Sequence, residues 1–264
     1  MPRTQVSDRS QASGRSQTTT RTISPLGFAN AISFDGTNDA GTSGTTMTMG
    51  SATKMSLYCK IRLTAATPGT TIIFEGSVNA NVKTSFFLLT STSPARALEF
   101  YVHRGTSGST YSGIQTRALT QNQWYTLVFN WNKNVTTNQC QCFVDGSEEV
   151  FSRPLNGNVD LTLTDETLYA GARGAASLFA KVDVKQLRVW AGKNLTVDET
   201  LALMNHNVAP TLAGGETLVA QYNADEGTGT TLAALGNSPM DMTLAGSPAW
   251  ITNVPTGADR TQIT

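Results

Sequence analysis

The sequence predicts an all-β sandwich of two antiparallel sheets, with one short helix and an extended N-terminal arm. Three observations carry that expectation. From Ala29 onward, short apolar runs alternate with turn signals at the spacing of an all-β sandwich. Charged residues make up 14% of the chain, against roughly 25% in ordinary soluble domains. Thr, Ser, Asn and Gly supply the polar surface instead; Thr suits a half-buried pleat, and Gly and Asn suit tight turns. One segment alone has helical spacing. The 264 residues, 39% of them hydrophobic, suffice for one large core.

Residues 1–28 are rich in Ser, Thr, Gln and Arg, with few apolar residues before Ile23. They bury too little to offset their ordering entropy. Arg3, Arg9, Arg15 and Arg21 recur at an even spacing, which places them on one side of an extended chain. They read as a solubilising tail or as an assembly arm that docks on a partner or neighbouring subunit. The regular spacing favours the arm.

The sandwich is expected over residues 29–252, and residues 253–264 read as a tail. AISFDG is a strand ending in an Asp-Gly turn. KMSLYCKIRL alternates, with Met55, Leu57, Cys59, Ile61 and Leu63 on one side and Lys54, Ser56, Lys60 and Arg62 on the other. TIIFEG, SFFLLTS and ALEFYVHRG follow as strands. QWYTLVFNWN and QCQCFVDGSEEV form a hairpin pair, with a second tight turn at Asp145-Gly146. LYAGA and AKVDVKQLRVWAG add two strands. TVDETLALMNHN is the helix: Thr196 caps it, Glu199 completes a capping box, and Val197, Leu201 and Met204 recur on one face. ETLVAQYNADEG and the MTLAGSPAWI region close the sheets.

Cys59, Cys140 and Cys142 are an odd number, a poor disulfide framework. They read as buried free thiols, with one bridge, within or between chains, as the alternative. Neither histidine stands at a zinc-ligand spacing from them. A net charge of zero does not steer the chain to nucleic acid or membranes. The N-terminus lacks the apolar core of a secretory signal.

Four motifs stand in order between residues 29 and 252. The first is AISFDGTNDAG, and the second is QWYTLVFNWN followed by QCFVDG. The third runs Val182, Asp183, Val184, Leu187, Arg188, Val189 and Trp190, then Leu195, Thr196 and Glu199. The fourth places Asp225, Glu226, Gly227, Gly229, Thr230, Asn237, Leu244, Pro248 and Trp250 in register. In these the chain resembles the laminin-G-like members of the concanavalin A-like lectin/glucanase superfamily. It departs at Val184, where the family carries an acid, at Thr126, where His is frequent, and at Ala233-Ala234-Leu235, where the family has an Asp.

The resemblance implies a jelly-roll of two curved antiparallel sheets, with the helix plugging one edge and the terminal strands pairing. It implies calcium near a sheet rim, for which Asp35, Asn38, Asp39, Asp183 and Asp225 are the candidates. Turn chemistry is the competing use of those residues. No other cofactor is required. Glycanases of the superfamily carry paired carboxylates along one strand; here Glu148-Glu149, Asp165-Glu166 and Asp198-Glu199 are adjacent and point to opposite faces. A non-catalytic protein is therefore expected. Trp124, Trp131, Trp190 and Trp250 read as core. Tyr101 and Tyr111, with Tyr125 and Tyr169, are candidates for stacking on a glycan. Arg96, Arg104, Arg117 and Arg173 could serve an interface or a solvated surface.

Laminin-G-like sandwiches are familiar among phage structural proteins. The favoured expectation is a bacteriophage virion component, capsid-decorating or tail-associated, made in the host cytoplasm without a signal peptide. It would be homo-oligomeric and bound to other virion proteins through its arm. The alternative is a glycan-binding module for host-surface or polysaccharide attachment, and a glycanase ranks below both. Neither nucleic acid nor membrane is an expected partner.

Overall fold

The computed structural model describes residues 28–77, 86–103, 111–149, 153–155, 160, 162–235 and 240–255. Arg3, Arg9, Arg15 and Arg21 lie outside the described residues. The strands are β1 (Phe28–Asp35), β2 (Ala40–Ser43), β3 (Lys54–Leu63), β4 (Ile72–Ser77), β5 (Phe86–Thr92), β6 (Ala95–His103), β7 (Tyr111–Gln115), β8 (Trp124–Asn132) and β9 (Cys140–Val144). After them come β10 (Ser147–Glu148), β11 (Arg153–Leu155), β12 (Thr167–Ala170) and β13 (Lys181–Ala191). Helix α1 (Val197–His206) precedes β14 (Thr217–Asn223), β15 (Thr231–Leu232), β16 (Met242–Ala245) and β17 (Ala249–Pro255).

Two antiparallel sheets enclose one core, as the alternating runs predict. Sheet A runs β10-β9-β8-β3-β13-β1-β17, with β14 also paired to β13. Sheet B runs β11-β7-β6-β5-β4-β12-β2-β16-β15. The terminal strands pair, Ile32 opposite Trp250 and Ser33 opposite Ala249. β17 carries the sheet through Pro255, past the residue where the sequence reading ends the sandwich. Inward side chains of both sheets meet: Phe100 on β6 stacks on Phe129 of β8 at 5.3 Å, with Phe86 6.4 Å away. The Asp145-Gly146 turn has both residues in the left-handed region (φ 50° and 80°), the geometry that favours this dipeptide in hairpins.

On β3 the expected inward set is fully buried. On the opposite face Ser56, Tyr58 and Lys60 are buried too, while Lys54 and Arg62 are half-buried; α1 lies over this face of sheet A rather than plugging its edge. Tyr58, Val128, Phe143 and Trp190 on the outer face of sheet A pack with Leu195 and Leu203 in a second apolar cluster. The capping box forms as predicted: Glu199 N–H donates to Thr196 Oγ1, and Thr196 N–H donates to Glu199 Oε2. Asn207, left-handed at φ 53°, ends the helix.

All three cysteines are free and buried, which corrects the disulfide alternative within the chain. Cys59 faces Leu127 and Cys142 faces Phe129 on β8 between them. They are therefore separated by two strand spacings, about 9.6 Å, and by about 7 Å along the strands, beyond the usual disulfide span. Burial pushes the Cys140 thiol up to about 12 and raises Cys59 and Cys142 as well. A thiol reacts as thiolate, so the folded protein should leave an aromatic disulfide reagent unreacted at about pH 8. Release of three equivalents is expected only on unfolding; native labelling faster than unfolding would contradict the burial. The folded thiols hold protons that the unfolded ones lose near pH 9, so their contribution to stability is lost as pH rises above that value.

Candidate functional site

Strand alternation sorts sheet B into two faces. Phe86, Leu88, Leu98, Phe100 and Ile114 point into the core. Their neighbours Phe87, Leu89, Glu99 and Tyr101 point outward. Register aligns Phe87 with Tyr101 and Leu89 with Glu99 across β5 and β6, then Tyr101 with Gly113 and Glu99 with Gln115 across β6 and β7. Tyr101 lies edge-on to Tyr111, ring centroids 4.9 Å apart and planes at 79°. Gly113 makes room for this: a Cβ there would come within 2.7 Å of the Tyr101 ring and 2.9 Å of the Phe100 carbonyl oxygen.

These residues line a cleft of about 330 Å³ with Thr70, Ile72, Arg173 and Leu178, a volume at the lower end for small-molecule sites. The last two come from the loop between β12 and β13. That loop is tied to β4, Ile72 N–H donating to Leu178 O and Gly171 N–H to Ile73 O. Ala175 and Leu178 take left-handed φ values of 57° and 51°, a conformation that costs a side-chain-bearing residue free energy. The Arg173 guanidinium is held 5.9 Å over the Phe87 ring.

The polar floor is organised. Glu99 accepts from Tyr101 Oη at 2.6 Å and from Gln115 Nε2 at 2.7 Å. Gln115 Nε2 also donates to Ser91 Oγ and Ser93 O. Glu75, on the same face of β4, is buried and accepts from Gly174 N–H at 2.9 Å. Burial raises its carboxyl above the ordinary range, partly offset by that hydrogen bond and by the Arg173 charge. A carboxyl raised on folding contributes stability that is present below about pH 4.5 and lost as pH climbs through its folded pKa. Glu75→Gln should therefore raise Tm at about pH 7 and leave it unchanged near pH 4. Equal Tm differences at both pH values would refute this.

The tyrosine pair expected from sequence is thus brought together. Tyr125 is not part of it: it is buried in the core, its hydroxyl accepting from Thr120 N–H at 3.0 Å. Tyr169 is half-buried on β12, opposite Glu75 and Thr42. Trp131 and Trp190 are buried as expected, whereas Trp124, beneath Arg62, and Trp250 are half-buried. Phe87, Leu89 and Glu99 join the site without a sequence motif that marks them. Glu99 sits in an alternating run, but Phe87 and Leu89 lie in a continuous apolar run that does not mark its outward face, and β7, which supplies Tyr111 and Gln115, is short and interrupted by Gly113.

The structure does not gather the five calcium candidates into one ligand set. Asp35 Oδ1 accepts from Thr37 and Asn38 N–H, and Asp39 Oδ2 from Asp35 N–H, which is turn chemistry. Asp183 is paired with Arg62 at 2.6 Å. Asp225 offers its backbone carbonyl to Asn30 Nδ2. Among the described residues no three His, Cys, Asp or Glu side chains gather as metal ligands.

A laminin-G family model of the Concanavalin A-like lectin/glucanases superfamily matches residues 35–199. In three dimensions the chain is similar to the native heptameric SAP-like pentraxin of Limulus polyphemus. That likeness has 12% identity and a TM-score of 0.54, and covers 86% of this chain and 95% of that one. A Trypanosoma rangeli sialidase in complex with sialic acid aligns at 16% identity and TM-score 0.42, over 59% of this chain and 23% of its own. The receptor-binding domain of botulinum neurotoxin mosaic serotype C/D aligns at 10% identity and TM-score 0.45, over 67% of this chain and 45% of its own. The alignments thus span less than half of the sialidase and of the neurotoxin domain. At these identities the pentraxin likeness shows the fold alone. No curated protein matches the sequence.

Proposed function

This chain belongs to the Concanavalin A-like lectin/glucanases superfamily, and from that premise we propose that it is a carbohydrate-binding module that does no chemistry on its ligand. The observation that carries this is the Tyr101–Tyr111 pair, half-exposed in a cleft floored by Phe87 and edged by Glu99 and Arg173. Aromatic faces take the apolar C–H face of a sugar ring, and a few placed polar groups take its hydroxyls. Glu99 is suited to hydroxyl donors, because its carboxylate is already oriented by Tyr101 and Gln115. Glycoside hydrolysis ordinarily needs two carboxylates flanking the bond. Glu99 lines the cleft, whereas Glu75 is buried under the Gly174 turn, and this supports binding without turnover.

The test is a glycan array on the full chain, followed by titration of the best saccharide. Tyr101→Ala and Tyr111→Ala should each weaken binding by about fivefold or more while lowering Tm by no more than about 4 °C. No reducing ends should accumulate. Undiminished affinity in both variants would overturn the assignment of the cleft.

The evenly spaced Arg3, Arg9, Arg15 and Arg21 favour a second, compatible reading. In it the module is a bacteriophage virion component, capsid-decorating or tail-associated, anchored through residues 1–28. Deleting those residues should abolish co-assembly and spare saccharide affinity. Co-assembly by the truncated chain would sink that reading.

A further inference from the structure

Of the four arginines with interface potential, Arg104 lies outside the described residues and two others are engaged. Arg96 donates to Leu119 O and Ala66 O, and Arg117 pairs with Glu149. Arg173 differs. Its Nε is buried without a hydrogen-bond partner among the described residues. It belongs to none of the ion pairs Arg62–Asp183, Arg117–Glu149, Lys133–Asp160 and Lys193 with Glu199 and Glu216, although its charge acts on the buried Glu75 carboxyl. A buried donor without a partner is costly. So is the loop that carries it, with Ala175 and Leu178 both left-handed. The fold nonetheless holds this guanidinium over Phe87 in the cleft.

We propose that the cleft selects an acidic saccharide, a sugar bearing a carboxylate, with that carboxylate on Arg173. This rests on the reading of the cleft as a saccharide site and names its ligand class. The planar fork of a guanidinium matches a carboxylate with two parallel hydrogen bonds. Glu99 lies elsewhere in the cleft. It stands opposite Leu89, two residues along β5 from Phe87, so about 7 Å separates the two levels along the strands. A hexuronate ring spans that interval. Its carboxylate would take the guanidinium, which already covers the Phe87 ring; its hydroxyls would donate to Glu99, and its C–H face would rest on the Tyr101 and Tyr111 rings. The like charges of ligand and Glu99 would then sit at opposite ends of the ring, and Glu99 keeps its two donors, Tyr101 and Gln115.

The experiment is calorimetric titration of the full chain with short oligomers of galacturonate, glucuronate and mannuronate, each against its methyl ester. The ester keeps every hydroxyl and removes the charge. At least one acid oligomer should bind about tenfold tighter than its ester. Arg173→Met should reduce that ratio to about one, and Arg173→Lys, which keeps the charge and loses the fork, to about threefold. Should the Met variant fail to fold, the Lys variant carries the comparison. Acid and ester bound alike by the parent chain, or a preference that survives both substitutions, would overturn the proposal. If neutral saccharides bind and Tyr101→Ala abolishes that binding, the cleft reading stands and the acidic preference falls. If no saccharide binds, both fall.

Discussion

Phe100→Ala is expected to lower the unfolding free energy by about 3–5 kcal/mol. Phe100 is fully buried on β6 and stacks on Phe129 of the opposite sheet at 5.3 Å. Truncating it removes buried apolar surface and leaves a cavity between two sheets whose hydrogen-bonded strands resist collapse. Its neighbour Tyr101 provides the contrast. One residue along the same strand, it points to the cleft, and Tyr101→Ala should cost less than about 1 kcal/mol. Urea unfolding of the two variants reads the difference directly. Comparable losses in both would mean that the alternation of β6 is misassigned.

The second large effect falls on sheet A. Asp183 is 1% exposed on β13, and Arg62 Nε donates to its Oδ2 at 2.6 Å. The Arg62 guanidinium also covers the Trp124 ring at 5.1 Å. Arg62→Met keeps much of the side-chain volume but leaves a buried carboxylate without its cation. Such losses run to about 3 kcal/mol or more. Adding Asp183→Asn should recover most of the loss, because the uncompensated charge goes with it. A double-mutant cycle measures the coupling. A single-variant cost below about 1 kcal/mol would place the pair with ordinary surface ion pairs.

These positions also show what the sequence could and could not reveal. The inward set of β3 was legible because Met55, Leu57, Cys59, Ile61 and Leu63 alternate, and a residue pointing inward must be apolar. The helix was legible because Thr196 and Glu199 act within one turn. Burial of Ser56 and Tyr58 was not, because it depends on where α1 and the residues leading into it land, a contact between distant segments. The site divides the same way. Tyr101 and Tyr111 could be named as exposed aromatics, but their contact depends on the β6–β7 register and on Gly113. Arg173 could be named only as one arginine of four. What separates it is a buried Nε without a hydrogen-bond acceptor, and that becomes visible once Arg96 and Arg117 have found theirs. The calcium set failed for the complementary reason: Asp35 and Asp39 spend their oxygens on their own turn, and Asp183 spends one on Arg62.

Ring-selective isotope labelling of the six tyrosines would report most directly on where ligand sits. On titration with the tightest-binding saccharide, the Tyr101 and Tyr111 signals should move together and saturate at the calorimetric affinity. Those of the buried Tyr58, Tyr125 and Tyr222 should stay in place. Saturable binding that leaves Tyr101 and Tyr111 unmoved would contradict the account.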